Sequence, residues 1–216
     1  MTNIYSVLIK EVIGFITDGL FYFAKEIVME YYHVKSARDI DYKKILNDYR
    51  HCFSGRVAAL TTNYKLLRNF EVLFSDSDLP HLMGWQKIVN KRNYAGRIIS
   101  LVDNKELTFE SSRKHHNFNK IKSRLLNYNF LHEVFWEYDP RVCVMTSDMK
   151  PNPLKLDIVF FKATNSREIV VLGLRRAKNM KFFVPTTLHT ESSRDNQYLL
   201  RRRTNIKSIK WLPRIK

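Results

Sequence analysis

The C-terminal third of the chain brings together side chains that could move protons around a phosphate. Between Val170 and Arg203, cations, hydroxyl groups and one imidazole alternate along the sequence. The cations are Arg175, Arg176, Lys178, Lys181, Arg201, Arg202 and Arg203, and the hydroxyl and imidazole groups include Thr186, Thr187 and His189. Groups of these types transfer protons and stabilise the negative charge that builds on phosphoryl oxygens.

These residue types suit cleavage of RNA without a metal ion. The ribose 2′-hydroxyl would lose a proton and attack the adjacent phosphorus, and the leaving 5′ oxygen would gain a proton. This route requires the 2′-hydroxyl, so it would cleave RNA and spare DNA. Residues 151–216 contain only four acids, which gives little support to metal binding by paired carboxylates. We therefore expect no metal and no cofactor.

The distribution of charge points to the same region. The chain has 216 residues and a formal net charge of +16, and residues 151–216 alone carry 15 basic and four acidic side chains, a net of +11. A surface of this sign predicts a polyanionic partner, and RNA is the partner we expect. Arg201–Arg203 could also be a solvated strand edge. For His189 taken alone, an ordinary surface histidine is the commoner outcome.

A second histidine lies at a predicted helix start. His81 follows Pro80, and the first turn of a helix exposes backbone N–H groups that favour an anion. A phosphate at this point would meet both the helix end and an imidazole. The alternative is that the ring of His81 packs near Trp85, four residues further on.

Several classes of protein are excluded or disfavoured by what the sequence lacks. There is no GxxxxGK[ST], GxGxxG or HExxH motif, and Cys52 and Cys143 do not form a CxxC pair. Charged residues interrupt the apolar N-terminal stretch, so we expect no membrane-spanning helix. Two isolated cysteines and no signal-peptide pattern favour a cytoplasmic protein.

The N-terminal residues are predicted to form a long amphipathic helix. Apolar side chains recur at intervals of three and four from Ile4 to Tyr31. An apolar stripe of this length is expected to pack against another surface. Packing onto its own domain is the simpler outcome, and an oligomer or partner interface is the alternative. Residues 36–50 read as a charged connection with a helical turn or two.

The rest of the chain predicts an α+β fold, with N-terminal helices followed by an antiparallel β-meander. Helices are expected over residues 79–90, 95–102 and 108–132. Strands are expected at Val57–Thr62, Leu66–Ser75, Val142–Met145, Leu154–Ala163, Ile169–Arg175 and Ile206–Leu212. The polar run Thr190–Asn196 reads as a turn. We divide the chain into a helical N-terminal extension, residues 1–50, and one α+β domain, residues 51–216.

Three segments resemble a known family. Leu79-Pro80-His81-Leu82-Met83-Gly84, which follows a predicted strand, is similar to the helix start found in the phage-associated barnase/EndoU/colicin/RelE-like nucleases. Residues 154–165 and 167–188 resemble the paired strands of that family. They include a Phe-x-Pro-x-Ser/Thr turn, which here would be Phe183–Thr187. The resemblance covers about residues 55–212.

This resemblance implies a barnase/EndoU/RelE-like nuclease core, metal-independent ribonuclease activity and a role as a toxin or in defence against phage. It makes His81 a candidate acid, base or phosphate contact, and it places Thr186 and Thr187 at the hydroxyl position. Lys155, Arg175 and Arg176 would lie on strands that face the substrate, with His189 as a further acid–base candidate. An antitoxin or inhibitor protein is a partner that such a role would imply.

Two other functions remain open from the sequence. A non-catalytic nucleic-acid-binding protein of a phage or mobile element would need the basic surface and nothing more. A partner-binding protein would use the segment Ile4–Tyr31 for oligomerisation or for docking an antitoxin. The convergence of His81 with Thr186–His189 on one cleft, beside the strand that carries Arg175, would favour the nuclease. Their placement on opposite faces would deprive the nuclease of this predicted active site.

Overall fold

A computed structural model describes residues 4–12, 24–89, 94–137, 141–144 and 151–212. Within these ranges the chain forms six α-helices and nine β-strands, which confirms the α+β class. The helices are α1 (Tyr42–Cys52), α2 (Leu79–Met83), α3 (Ala95–Asp103), α4 (Phe109–Arg113), α5 (Asn119–Leu126) and α6 (Phe130–His132). A short π-helical segment, Glu133–Glu137, continues from α6.

Local sequence explains where these helices begin and end. Asp41 precedes α1, and its carboxylate accepts hydrogen bonds from the backbone N–H groups of Lys43 and Lys44. Helix α2 has a proline in its first turn and stops at Gly84, which adopts a left-handed conformation with φ of 74°. A β-carbon at Gly84 would lie 2.7 Å from Cγ2 of Ile121, so close packing against α5 also requires glycine there.

The main sheet has seven strands, and β1 and β2 form a separate two-stranded sheet. The strands are β1 (Ile4–Val12), β2 (Ala24–Tyr32), β3 (Val57–Thr62), β4 (Asn69–Leu73), β5 (Arg141–Val144), β6 (Ile158–Ala163), β7 (Glu168–Arg176), β8 (Phe183–Ser192) and β9 (Arg203–Leu212). The order β3-β4-β8-β7-β6-β5-β9 closes on itself through an antiparallel β9–β3 pair. Strands β5 to β8 pair successively and antiparallel, while β4 meets β8 in parallel at Val72 and Phe183.

The two faces of the β6–β8 segment bury different clusters. Val170 and Leu172 of β7 belong to the large core that includes the helices. The intervening residue Val171 belongs to a small cluster with Val159 and Phe161 of β6. Successive side chains of a strand point to opposite faces, so the helices cover one face and the small cluster marks the other. We call this second surface the open face because no described helix covers it; Leu156 and Tyr198 pack over its centre, where Val159, Phe161 and Val171 are buried.

The predicted N-terminal helix is wrong. The described parts of Ile4–Tyr31 form β1 and β2, which pair antiparallel from Ile4 opposite Tyr32 to Val12 opposite Ala24. Apolar spacing of three and four residues is not unique to helices when the segment is rich in Ile, Val and Tyr. These residues favour extended backbone because their branched or aromatic side chains pack well on a pleated surface. Residues 13–23 lie outside the described ranges.

The predicted turn at Phe183–Thr187 is also wrong, because these residues open the ten-residue strand β8. Pro185 is tolerated because the strand is irregular there. Gly173 pairs with Thr187, but Leu174 pairs with Pro185, so Thr186 is an extra residue on β8. The strand runs on to Ser192, so the polar run predicted as a turn contributes its first three residues to the sheet.

The predicted helix over residues 108–132 is interrupted rather than continuous, and it forms α4, α5 and α6 with turns between them. The division of the chain at residue 50 stays a prediction. Helix α1, which falls mostly before that boundary, contributes Ile45, Leu46 and Tyr49 to the large core, and all three are fully buried. No helix in the described part of the chain combines the length and the apolar character needed to cross a membrane.

Candidate active site

Three polar side chains of β8 form a hydrogen-bonded row on the open face. Thr187, His189 and Glu191 alternate along the strand, so they project from the same side of the sheet. Oγ1 of Thr187 lies 3.2 Å from Nδ1 of His189, and Nε2 of His189 lies 2.8 Å from Oε1 of Glu191. Both imidazole nitrogens therefore have a partner, and the ring has a fixed orientation.

The carboxylate of Glu191 is held from its other side by the segment that follows β8. Nδ2 of Asn196 donates to Oε2 of Glu191 at 2.9 Å, and the side chain of Tyr198 also bonds to this carboxylate. Asn196 and Tyr198 are both buried. The hydrogen bond with His189, opposed by partial burial and aided by Asn196, lowers the pKa of Glu191 below its ordinary value of 4.5. Glu191 is therefore a carboxylate at neutral pH.

An ionised Glu191 determines which imidazole nitrogen carries the proton. A carboxylate can only accept, so Nε2 of neutral His189 donates to Glu191. Nδ1 is then the acceptor, and the hydroxyl of Thr187 donates to it. Nδ1 of His189 is thus the nitrogen with a lone pair, and the buried hydroxyl of Thr187 occupies it.

The open face beside Thr187 depends on a glycine. Gly173 is the cross-strand neighbour of Thr187 on β7. A β-carbon at Gly173 would lie 2.6 Å from Cδ1 of Leu156 and 3.0 Å from Cγ2 of Thr187. Leu156 is buried and therefore could not move aside freely. Glycine allows Leu156 and Thr187 to pack directly over the strand.

Two predicted cations border this position. The prediction that Lys155 lies on a strand is wrong, because β6 begins only at Ile158. Lys155 precedes Leu156 and is exposed, in a loop where its backbone adopts a φ of 51°. Arg175 follows Gly173 by two residues on β7, so alternation places it on the open face, and it is exposed. The structure thus brings Thr187 and His189 into contact and places Lys155 and Arg175 on the segments beside them.

Two of the three arginines in Arg201–Arg203 lie over aromatic rings. The guanidinium of Arg203 lies over the ring of Phe161 at 5.2 Å and donates to the carbonyl of Leu199. The guanidinium of Arg202 lies over Tyr64 at 5.4 Å. Arg201 is half-buried in the turn before β9. Since Phe161 belongs to the open face, Arg203 brings a cation to that face.

His81 does not converge with Thr186–His189. Helix α2 packs its Leu79 and Leu82 into the core that contains Leu188, and Leu188 points away from the open face. His81 is exposed on this helical side, where its carbonyl accepts a hydrogen bond from Arg124. The helix start at Leu79–Gly84, which supports the family resemblance, therefore belongs to the helical layer.

Four further predicted residues lie apart from the row on β8. Arg176 points to the core side, where its guanidinium lies 4.8 Å from the ring centre of Phe183. Lys178 and Lys181 are exposed in the turn between β7 and β8. Thr186 occupies the bulge, and its hydroxyl donates to the carbonyl of Val184.

The sequence interpretation missed the role of Glu191 as the partner of His189. Reading Phe183–Thr187 as a turn hid the alternation of Thr187, His189 and Glu191. The alternation of these three polar residues at every second position is typical of a strand, and this pattern could have identified the contact between Glu191 and His189. Arg141 of β5, which is exposed opposite Phe161, was also missed because only strand pairing places it on the open face.

A second polar cluster lies inside the helical layer. Among the described residues, only Asp48, Cys52 and His132 offer three potential metal ligands within 4.8 Å of one another. Asp48 already accepts hydrogen bonds from the hydroxyl of Tyr128 at 2.5 Å, from the backbone of Tyr32 and from His132. Asp48, Cys52, Tyr128 and His132 are buried, so the cluster is a hydrogen-bonded core network that ties β2 to α1 and α6.

A helical layer covers one face of the sheet, and the other face carries a hydroxyl, an oriented imidazole and exposed cations. A family model described as phage-Barnase-EndoU-ColicinE5/D-RelE like nuclease 4 matches residues 40–211. The chain belongs to this family, which confirms the resemblance found in the sequence. No curated protein and no solved structure matches the chain.

Proposed function

We propose that the protein is a metal-independent endoribonuclease whose reaction is centred on His189. The observation that carries the proposal is the row of Thr187, His189 and Glu191 on the open face. It presents an imidazole that is held between a hydroxyl group and a carboxylate. Membership of the nuclease family supports the proposal.

In the reaction that we propose, Nδ1 of His189 accepts the proton of the ribose 2′-hydroxyl after the hydroxyl of Thr187 turns aside. The 2′ oxygen forms a bond to phosphorus, the bond from phosphorus to the 5′ oxygen breaks, and that oxygen takes a proton from solvent. The products are a 2′,3′-cyclic phosphate and a 5′-hydroxyl. Lys155 and Arg175 stabilise the charge on the phosphoryl oxygens.

Metal independence is inferred from how the carboxylate is used. Both oxygens of Glu191 are engaged, one by His189 and the other by Asn196. A metal ligand needs a free carboxylate lone pair with the right geometry, and paired carboxylates usually hold a catalytic divalent ion. Glu191 instead orients the imidazole of His189.

The proposal includes a biological role as a toxin or anti-phage effector, which is supported by the words phage, colicin and RelE in the family description. Such enzymes require restraint in the producing cell, so an antitoxin or inhibitor protein is part of the proposal. The alternative of non-catalytic RNA binding is favoured by one observation, the net charge of +11 over residues 151–216.

The test uses purified protein, excess chelator, an RNA oligonucleotide and a matched oligonucleotide in which every sugar is 2′-deoxy. We expect cleavage of the RNA alone, with products ending in a 2′,3′-cyclic phosphate. Intact RNA across many sequences, with binding retained, would support the non-catalytic alternative. Cleavage of the 2′-deoxy oligonucleotide would contradict the chemistry.

A further inference from the structure

Three cations converge in the helical layer, around the C-terminal end of α2. Arg124 of α5 reaches this end, where its Nη1 donates to the carbonyl of His81 at 3.0 Å and to the carbonyl of Leu82 at 3.4 Å. A β-carbon at Gly84 would lie 3.0 Å from Cδ of Arg124, so the arginine stem runs directly beside this glycine. These contacts hold the guanidinium in a defined place against α2.

Lys87 and Lys120 are the two cations beside Arg124. The backbone N–H of Lys87 donates to the carbonyl of Gly84 at 2.9 Å, and the carbonyl of Lys87 accepts from Nδ2 of Asn117 at 3.2 Å. Lys120 precedes Arg124 by four residues on α5, so both side chains lie on the same face of that helix. The positive charges of Arg124 and Lys120 both act on the ammonium group of Lys87.

No carboxylate of the described residues forms an ion pair with any of these three cations. Arg124 and Lys87 are half-buried. Burial lowers the pKa of Arg124 below its ordinary value, and burial together with the charges of Arg124 and Lys120 lowers the pKa of Lys87. The two groups thus lose part of their hydration and gain no anion in return.

Arg50 shows what the same fold does with a balanced cation. It is also half-buried, but its guanidinium bonds to the carboxylates of Asp103 and Asp76. These bonds outweigh the effect of burial and raise the pKa of Arg50. A charge removed from water is normally paired in this way, because burial disfavours an isolated charge. Arg124 and its two lysines depart from this rule, which indicates that their anion comes from outside the described chain.

We propose that Lys87, Lys120 and Arg124 form a binding site for a phosphate group in the helical layer. A phosphate carries a charge of about −1.5 to −2 and three acceptor oxygens, so it balances more of this cluster than a carboxylate does. The bonds of Arg124 to backbone carbonyls use Nη1 and leave further N–H donors for the ligand. The site needs no catalysis at His189. A small phosphate compound and an RNA backbone both supply this chemistry, and binding measurements distinguish them.

Thermal unfolding in increasing inorganic phosphate, at an ionic strength held constant with sodium chloride, tests the site. The variants are Lys87→Met and Lys120→Met, in which methionine keeps the length of the stem. Lys122→Met is the matched control, because Lys122 is exposed on α5 about 200° around the helix from Lys120. Exclusion of phosphate from the protein surface stabilises every variant alike, so the measured quantity is the saturable rise in Tm.

Wild type and Lys122→Met should reach half of this rise at the same phosphate concentration. Lys87→Met and Lys120→Met should need about ten times more, since each loses one charge-assisted hydrogen bond. The absence of a saturable rise in wild type, or an equal response of the three methionine variants, would overturn the proposal.

Stability without phosphate separates a binding role from a structural one. Lys87→Met removes a repelling charge, so its Tm in phosphate-free buffer should equal or exceed that of wild type. A lower Tm would mean that Lys87 has a stabilising partner, and the cluster would not be unbalanced. Arg124→Gln keeps a donor for the carbonyl of His81 and should also lose the saturable rise. Lys87→Met tests the site independently of any loss of stability in Arg124→Gln.

An RNA oligonucleotide with 2′-O-methyl sugars, which cannot be cleaved by 2′-hydroxyl attack, identifies the source of the phosphate. If an RNA backbone occupies the site, inorganic phosphate should compete with the oligonucleotide at constant ionic strength. Lys87→Met should then lower the slope of log affinity against log salt by about 1, and Lys122→Met should leave it unchanged. A saturable rise in Tm without competition assigns the site to a small phosphate compound.

Discussion

Nε2 of His189 and Oε1 of Glu191 lie 2.8 Å apart on the same side of β8, two residues from each other along the strand. This contact makes the carboxylate a positioning group for the imidazole. It leaves Nδ1, next to Thr187, as the nitrogen that can accept a proton. The proposed function therefore depends on a pair that strand alternation brings together and that Asn196 helps to hold in place.

The first prediction concerns Glu191→Gln. The amide keeps the shape of the side chain but no longer favours the tautomer with the proton on Nε2, so kcat should fall roughly 10- to 100-fold. KM for RNA should change little, because Glu191 faces His189 and Asn196. Steady-state kinetics measure both constants. An unchanged kcat would show that Glu191 does not position the imidazole.

The same variant has a predicted effect on stability. The pKa of Glu191 is lowered in the folded protein, so ionisation stabilises the fold at pH values above the ordinary range of glutamate. This contribution disappears as the pH falls through the lowered pKa. Glu191→Gln should therefore lower Tm at pH 7 and have a smaller effect at pH 3. Equal losses of Tm at the two pH values would contradict the lowered pKa.

A third prediction tests the packing beside Thr187. Gly173→Ala should reduce the free energy of unfolding by about 1–3 kcal/mol, because the new methyl group overlaps buried Leu156. It should also reduce activity by displacing Thr187. Gly96→Ala is the matched control, since Gly96 is exposed in α3 and alanine favours a helix. Urea unfolding distinguishes them, and equal stability of the two variants would argue against the close packing.

A fourth prediction concerns Asp78, at the start of α2. Burial, with a contribution from Asp76, raises the pKa of Asp78 to about 7, while a hydrogen bond from the backbone of Ser75 opposes the shift. An acid with a raised pKa is more easily ionised in the unfolded chain. The folded state should therefore lose stability as the pH rises from about 4 to 7.

Asp78→Asn should remove this pH dependence, because the amide is neutral and its oxygen can still accept from Ser75. The variant should be more stable than wild type at pH 8, and a gain of about 1 kcal/mol raises Tm by roughly 2–4 °C in a chain of this size. Thermal unfolding between pH 5 and pH 8 measures the effect. A wild-type slope that persists in the variant would assign the titration to another group.

Elements with one dominant local signal were predicted well from the sequence. Strand β3 matches the predicted Val57–Thr62, where Ser54 and Gly55 mark a clear break before an apolar run. Helix α3 begins at the predicted Ala95. Errors arose where local signals conflicted. Pro185 and the polar residues after it masked a strand that sheet pairing stabilises, since the energy of pairing is absent from any local pattern.

Only part of the candidate site could be predicted from the sequence. Residue type alone selected Thr187 and His189, which proved to be hydrogen-bonded neighbours. Its position at a predicted helix start and the family resemblance selected His81, which lies in the helical layer. Choosing between His81 and His189 requires knowing on which face of the sheet each side chain lies. Long-range contacts determine this, and they cannot be read from a local pattern. The same is true of Arg141, whose place beside Phe161 follows only from strand register.

The most direct test of the account is the initial rate of RNA cleavage, in excess chelator, by wild type, His189→Ala and His81→Ala. We expect His189→Ala to lower the rate about 10²- to 10⁴-fold, which is the usual contribution of a general acid–base group. His81→Ala should stay within about twofold of wild type, because its ring is remote from the reacting phosphate. Wild-type activity in His189→Ala, in protein that unfolds at the wild-type Tm, would contradict the central claim.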